Sequence, residues 1–294
     1  MDYVKSPLNY TGGKYKILNQ ILPLFPHKIN IFLDLFAGGA NVGINVEATK
    51  IILNDNLTFL SDLYSKLQTE SVESLISSIN SIISKYSLSL TNTSGYERLR
   101  EDYNLTKDSL LLLVLIFYSF NHQIRFNNQH DFNVPFGKNR SQYNRNIEKN
   151  LITFVTKLHE KNIEITKNNF VDFNYNVLCA DDFVYCDPPY LITTGSYNDG
   201  KRGFTGWGEE QEYALLKILD SLDKRSIKFA LSNVINHKGA TNFILEEWLK
   251  TNPQYHTYPI IKNYANSSYH TKDRGMNSTL EVLVTNYAKN TDGA

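Results

Sequence analysis

The tetrapeptide Asp187-Pro188-Pro189-Tyr190 follows the apolar run Val184-Tyr185-Cys186, and its residue types point to a reaction. Two successive prolines lack backbone donors and hold φ fixed, so they make a stiff turn directly off a strand. Such a turn holds the Asp187 carboxylate and the Pro188 carbonyl at the C-terminal edge of a sheet, where open α/β sheets bind ligands. An amino group offers two N–H donors, and two acceptors held in this way take both. The ring of Tyr190 then offers a stacking surface for a planar base. Read alone, these residues also make a plain strand-ending turn, so the chemistry depends on what accompanies them.

Other segments supply the company. Asp34-Leu35-Phe36-Ala37-Gly38-Gly39 closes the run that begins at Ile31, and its glycines let the backbone approach a ligand closely. The G-x-G-x-x-G spacing is absent, so no dinucleotide fingerprint is read here. Asp55 ends a second run, Ile51-Ile52-Leu53-Asn54, where an acidic side chain can accept hydrogen bonds from both hydroxyls of a ribose. Tyr10-Thr11-Gly12-Gly13-Lys14 presents a lysine on a glycine turn, but the G-x-x-x-x-G-K-[ST] spacing is missing and Tyr15 follows the lysine. That excludes a nucleotide triphosphatase loop. The lysine can still pair with a carboxylate, such as the amino-acid end of S-adenosylmethionine.

The elements that must position these residues fall into three stretches. Residues 1–56 read as loop, helix, strand, glycine turn, helix and strand, the βαβ start of a parallel sheet. Residues 57–150 read as helical and then irregular. Val72, Leu75, Ile76, Ile79, Ile82 and Ile83 form an amphipathic stripe, and residues 109–120 read as a buried helix. Residues 121–150 carry Arg125, Lys138, Arg140, Arg145 and Lys149 against Asp131 and Glu148, five positive charges less two negative, a net of +3. Alternating elements then return: a strand at 184–186, a helix at 211–222, a strand at 227–231, a helix at 242–249 and a strand at 280–285. The simplest architecture is one α/β domain interrupted by a helical insertion.

Composition sets the bounds. At 294 residues the chain can bury a large core, and 41% hydrophobic with 20% charged residues is the balance of a soluble globular protein. Lys plus Arg and Asp plus Glu number 30 each, so any nucleic-acid surface must be a local patch. The 19 Tyr and 16 Phe suit base stacking and ordinary cores equally. Cys179 and Cys186 are too few for a disulfide framework or a zinc cluster, and are expected to be small buried thiols. Residues 1–10 carry charges and no apolar run, so no secretory signal is expected. The longest apolar run, 110–117, is far shorter than the roughly 20 residues of a spanning helix. No membrane association is expected, and the cytoplasm is the expected location.

With these motifs together, the sequence resembles the Dam-type (D12 class) DNA adenine-N6 methyltransferases over nearly its whole length. The resemblance rests on Tyr10-Thr11-Gly12-Gly13-Lys14, Asp34 to Gly39, Asn54-Asp55-Asn56, Asp131-Phe132-Asn133-Val134-Pro135-Phe136-Gly137 and Val184 to Tyr190. It implies a Rossmann-like class I methyltransferase sheet using S-adenosylmethionine, with 1–56 and 146–294 forming the catalytic domain. Residues 57–145 are then a mainly helical target-recognition domain. Tyr10, Lys14, Asp34, Phe36, Gly38, Asp55 and Asp187 look like cofactor contacts, and Asp187, Pro188, Pro189 and Tyr190 like the catalytic turn. Arg125, Asn133, Lys138 and Arg140 look like contacts to double-stranded DNA, with Lys262, Lys272 and Arg274 as further candidates for phosphates. No metal is implied. A restriction endonuclease acting separately is a compatible partner, and repair marking and phage self-protection are compatible roles.

The sequence also departs from the family's pattern. Tyr10 stands where many members have Trp, and Ala40 where some have a further glycine, which would move the following helix start slightly. Asn9 and Lys138 stand where the family's type member has Lys and Arg, so the G-A-T-C target is not carried over. Among alternatives, methylation of protein glutamine or RNA uses a related N-P-P-Y turn; Asp187, the glycine–lysine turn and the large insertion argue against it. Cytosine N4 is a closer alternative, being another exocyclic amine. A DNA-binding protein without catalysis is opposed by the intact set Lys14, Asp55, Asp187 and Tyr190.

Overall fold

The computed structural model describes residues 2–193, 206–261 and 279–289. In chain order the strands are β1 (Ile31–Asp34), β2 (Lys50–Asn54), β3 (Ile163–Thr166), β4 (Phe183–Cys186), β5 (Lys228–His237), β6 (Ala240–Thr241), β7 (His256–Ile260) and β8 (Leu280–Thr285). The α-helices are α1 (Leu18–Ile21), α2 (Thr58–Thr69), α3 (Val72–Lys85), α4 (Thr93–Thr106), α5 (Ser109–Tyr118), α6 (Arg145–Glu160), α7 (Glu209–Lys224) and α8 (Phe243–Thr251).

The strands form one sheet in the order β3-β2-β1-β4-β5-β8-β7, with β6 turning back on β5. β3, β2, β1, β4 and β5 pair in parallel, whereas β8 runs antiparallel to both β5 and β7. The order reverses between β1 and β4, and the carboxyl ends of strands beside such a switch point leave a crevice for ligands.

Strands β1, β2 and β4 are buried on both faces, which their near-continuous apolar runs require. Successive side chains point to opposite faces. Phe32, Ile51, Leu53, Phe183 and Tyr185 enter one core, whereas Leu33, Ile52, Val184 and Cys186 enter the other. The first core is completed by α2, α3, α4, α5 and α6, and the second by α7 and α8.

Local signals fix the helix starts. Ser71, Asn92, Asp108, Asn144 and Asn242 each accept a backbone N–H of the first turn of the helix they precede. The long helical segment after β2 packs onto a sheet face that it helps to cover. In α2 the Tyr64 hydroxyl donates to the Gly38 carbonyl at 2.6 Å, and Gln68 donates to Ile163 O at 2.8 Å.

Several expectations need correction. The helix expected between β1 and β2 is only a short 3-10 turn, Gly43–Asn45. Gly38 and Ala40 take φ of +48° and +54°, which breaks the helical path. Asn41 Oδ1 accepts the Ser6 N–H, and Asn45 binds both the N–H and the C=O of Val4, so this segment docks the N-terminal strand of chain instead. Cys179 is exposed rather than buried, while Cys186 is buried. Strands β3 and β7 and the extent of α6 were not read from the sequence. β7, His-Thr-Tyr-Pro-Ile, is outermost in the sheet order and largely exposed, so it carries no apolar run to read.

Candidate active site

A cleft of about 950 Å³, counted out to its mouth, opens at the carboxyl ends of β1, β2 and β4. It is bounded by the glycine–lysine turn, the loop after β1, the end of β2 and the proline turn after β4. Tyr10, Lys14, Asp34, Phe36, Gly38, Asp55, Asp187, Pro188 and Pro189 all line it.

The glycine loop is shaped by its neighbours. A Cβ on Gly38 would lie 2.9 Å from Tyr10 Cε1, and the residue already has φ of +48°. The Tyr10 ring therefore packs where a side chain at position 38 would stand, and glycine is required on both counts. Asp55 fixes the same loop from β2: Oδ2 accepts the Gly38 N–H at 2.8 Å, and Oδ1 accepts the Leu57 N–H at 2.9 Å.

Lys14 is buried. Its ammonium lies 2.6 Å from Asp187 Oδ1 and donates to the Gly12 carbonyl at 3.1 Å. The Tyr190 hydroxyl lies 3.1 Å from Asp187 Oδ1 and 3.0 Å from Glu281 Oε1 on β8. Tyr190 is 5% exposed, and Lys14 Nζ stands 5.1 Å from its ring centroid.

Among the described residues, charge in the cleft is unbalanced: Asp34, Asp55 and Asp187 line it with Lys14. Burial pushes the Asp34 carboxyl up to about 8, and the charges of Asp187 and Asp55 add to this. The Gly43 N–H, 3.1 Å from Asp34 Oδ2, and Lys14 oppose the rise without cancelling it. A cationic ligand would relieve this excess. Phe36, Phe170 and Trp207 pack together at centroid distances of 5.4–5.6 Å and line the same cleft, a surface suited to a planar ring.

Phe170, Trp207 and Glu281 were not read from the sequence. Trp207 Nε1 donates to Glu212 Oε2 at 2.6 Å, and Oε1 of the same buried carboxylate accepts from Asn233 and Asn242. Thus α7, β5 and α8 all meet the group that holds the indole. A signal for Glu281 existed: it is the only charged residue in the apolar run of β8.

The expected DNA contacts stand apart from the cleft lining. Arg125 Nε and Nη2 donate to the side chain and backbone oxygens of Asn133, at 2.8 and 3.0 Å. Lys138 is exposed, and exposed Arg140 stands over the Phe120 ring at 4.7 Å while donating to Asn121. Asn9 joins this region to the glycine–lysine turn, its Nδ2 donating to the Asn121 carbonyl at 2.9 Å. Lys262, Lys272 and Arg274 lie outside the described residues. Among the described residues, no helix is long and apolar enough to cross a membrane.

Strand order, cleft position and the acidic turn after β4 define an α/β protein with a cleft at its switch point. The chain belongs to the D12 class N6 adenine-specific DNA methyltransferase family, whose profile matches residues 10–266. It is 50% identical over 290 residues to the type II methyltransferase M.FokI of Planomicrobium okeanokoites, an alignment covering 99% of this chain and 44% of that one. It is 49% identical over 289 residues to the modification methylase StsI of Streptococcus sanguinis, covering 98% and 44%. The DNA adenine methylase of Escherichia coli K12 is 29% identical over 233 residues, covering 77% and 79%. The chain thus spans less than half the length of M.FokI and StsI.

Proposed function

We propose that this chain methylates DNA site-specifically, moving the methyl group of S-adenosylmethionine to N6 of an adenine flipped out of the duplex. The observation that carries the reading is that Asp187, on its two-proline turn, lines one cleft with Lys14, Asp34 and Asp55. Family membership supplies the base and the atom.

The lining of the cleft supports S-adenosylmethionine as the ligand: its acidic residues suit a molecule with a sulfonium and an ammonium, and Asp55 at the end of β2 suits ribose hydroxyls. Lys14 suits the carboxylate, and Phe36 with Phe170 and Trp207 suits the adenine ring. Tyr10 and Gly38 shape the approach. When bound, the sulfonium supplies an electrophilic methyl group.

The chain's own residues then have separable tasks. Adenine N6 sits inside the duplex, so the nucleotide must be extruded at a cost of a few kcal/mol. The Asp187 carboxylate and the Pro188 carbonyl accept the two N6 hydrogens, which draws the nitrogen lone pair out of conjugation and towards the methyl group. Pro189 stiffens the turn, and Tyr190 is assigned to stacking on the base. Catalysis is positioning and electrostatic stabilisation of the charge that develops on N6. These roles need no metal.

In this reading, residues 57–145 are the target-recognition domain inserted in a Rossmann-like class I catalytic domain of 1–56 and 146–294. Lys138 and Arg140 hold phosphates, while Arg125, with Asn133 orienting its guanidinium, reads a guanine edge. The names of M.FokI and StsI support a modification role; a separate endonuclease as partner and the cytoplasm as location belong to the same proposal. Long-read sequencing of DNA from cells expressing the chain tests the reading. Methylated adenine in one recurrent sequence is expected; unmodified adenine throughout would overturn it.

A further inference from the structure

Glu281 is 3% exposed in an otherwise apolar strand, a costly place for a carboxylate. It comes from β8, on the antiparallel side of the sheet, yet its side chain reaches the proline turn. Tyr190 Oη lies 3.0 Å from Glu281 Oε1 and 3.1 Å from Asp187 Oδ1. Lys14 Nζ lies 3.9 Å from the same Glu281 oxygen and 2.6 Å from the same Asp187 oxygen. One hydroxyl and one ammonium are thus shared between two carboxylates.

We propose that Glu281 is a positioning residue for methyl transfer, sharing Lys14 and Tyr190 with Asp187 so that Asp187 stays fixed and keeps its basicity. The inference rests on the function proposed above. A lysine this close to a carboxylate favours its charged form and weakens it as a hydrogen-bond acceptor. It also sets positive charge beside the amine on which positive charge develops. A second carboxylate sharing the ammonium offsets both effects. The shared hydroxyl ties Tyr190 to both acids, so the turn is braced from β8 as well as from β4.

Two variants separate this role from packing. Glu281→Gln keeps the shape and an acceptor for Tyr190 but removes the charge. Tyr190→Phe keeps the ring and removes the shared proton. Single-turnover methyl transfer to unmodified DNA is measured across pH, with cofactor affinity by calorimetry, melting temperature, and a carbon-13 carboxyl titration of Asp187 in the cofactor-free protein. In Glu281→Gln the rate is expected to fall roughly 10- to 100-fold with cofactor affinity little changed. Its acid limb and the Asp187 titration should both move to lower pH, because a neighbouring negative charge is removed. Tyr190→Phe should lower the rate, and the double variant should fall little further than the worse single one.

Unchanged rates and an unmoved Asp187 titration, or a lower melting temperature alone, would overturn the role. Wild-type protein that transfers no methyl group to DNA would instead remove the reading beneath it, while the carboxyl titration still decides whether Glu281 sets the basicity of Asp187.

Discussion

The ammonium of Lys14 lies 2.6 Å from Asp187 Oδ1, so the N-terminal glycine turn and the proline turn after β4 meet at one ion pair. Removing one partner of such a pair strands the other charge. Lys14→Met should lower stability by up to roughly 3 kcal/mol, the low end for a buried pair, because Asp187 keeps some contact with solvent. The acid limb of methyl transfer should move to higher pH, opposite to Glu281→Gln. Chemical denaturation and a pH–rate profile check both; an unmoved limb would show that the pair does not tune Asp187.

The left-handed backbone at Gly38 and the Tyr10 ring against it leave no place for a methyl group. Gly38→Ala should cost about 1–2 kcal/mol of stability from backbone strain alone. Displacing Tyr10 should also weaken S-adenosylmethionine binding in calorimetry. Retained stability and affinity would mean that the loop is adjustable and does not shape the site.

Asp34 gives the cofactor-free protein a pH dependence. Burial pushes its carboxyl up to about 8 in the folded chain, whereas an unfolded Asp loses its proton near its ordinary value of 3.8. The folded state therefore binds more protons across that window, so stability should fall as pH rises from about 4 to about 8 and level off above. Asp34→Asn should flatten this slope in thermal melts. A cationic cofactor should also expel the proton, so binding heats near neutral pH should depend on the buffer's ionisation heat in wild type but not in Asp34→Asn.

Arg125, Asn133, Lys138 and Arg140 were proposed for DNA, and phosphate contacts have a distinctive salt signature. Lys138→Ala and Arg140→Ala should each weaken binding uniformly across sequences and reduce the slope of log affinity against log salt by about one. Arg125→Ala should relax preference at one base pair instead, at about 1–3 kcal/mol. Electrophoretic shifts over a salt series, with target and scrambled duplexes, separate these outcomes.

Much of the site was legible because its parts are local. The proline turn, the glycine loop and Asp55 each sit at a strand end, and a strand end can be found from a short apolar run followed by a turn. The strand at Leu280–Thr285 was read at its observed boundaries for the same reason. What stayed hidden comes from tertiary placement. Phe170 and Trp207 reach the cleft from loops with no period, and Glu281 reaches it by the sheet order β4-β5-β8. The helix expected after Gly39 failed for a local reason that the sequence hides. Ala40 takes a left-handed conformation that alanine rarely adopts, and Asn41 and Asn45 spend their side chains on residues 4 and 6. The residues proposed for DNA rest on the family resemblance and the local basic charge, neither of which reveals that Arg125 is held by Asn133, a pairing set by the fold of residues 125–133.

The most direct test of the acceptor role of the proline turn is mass spectrometry of enzymatically digested DNA after incubation with the chain and S-adenosylmethionine, run beside Asp187→Ala. N6-methyladenine should form with wild type and be absent with the variant, even where the variant still binds the cofactor. N4-methylcytosine as the product, or N6-methyladenine at wild-type levels from Asp187→Ala, would contradict it.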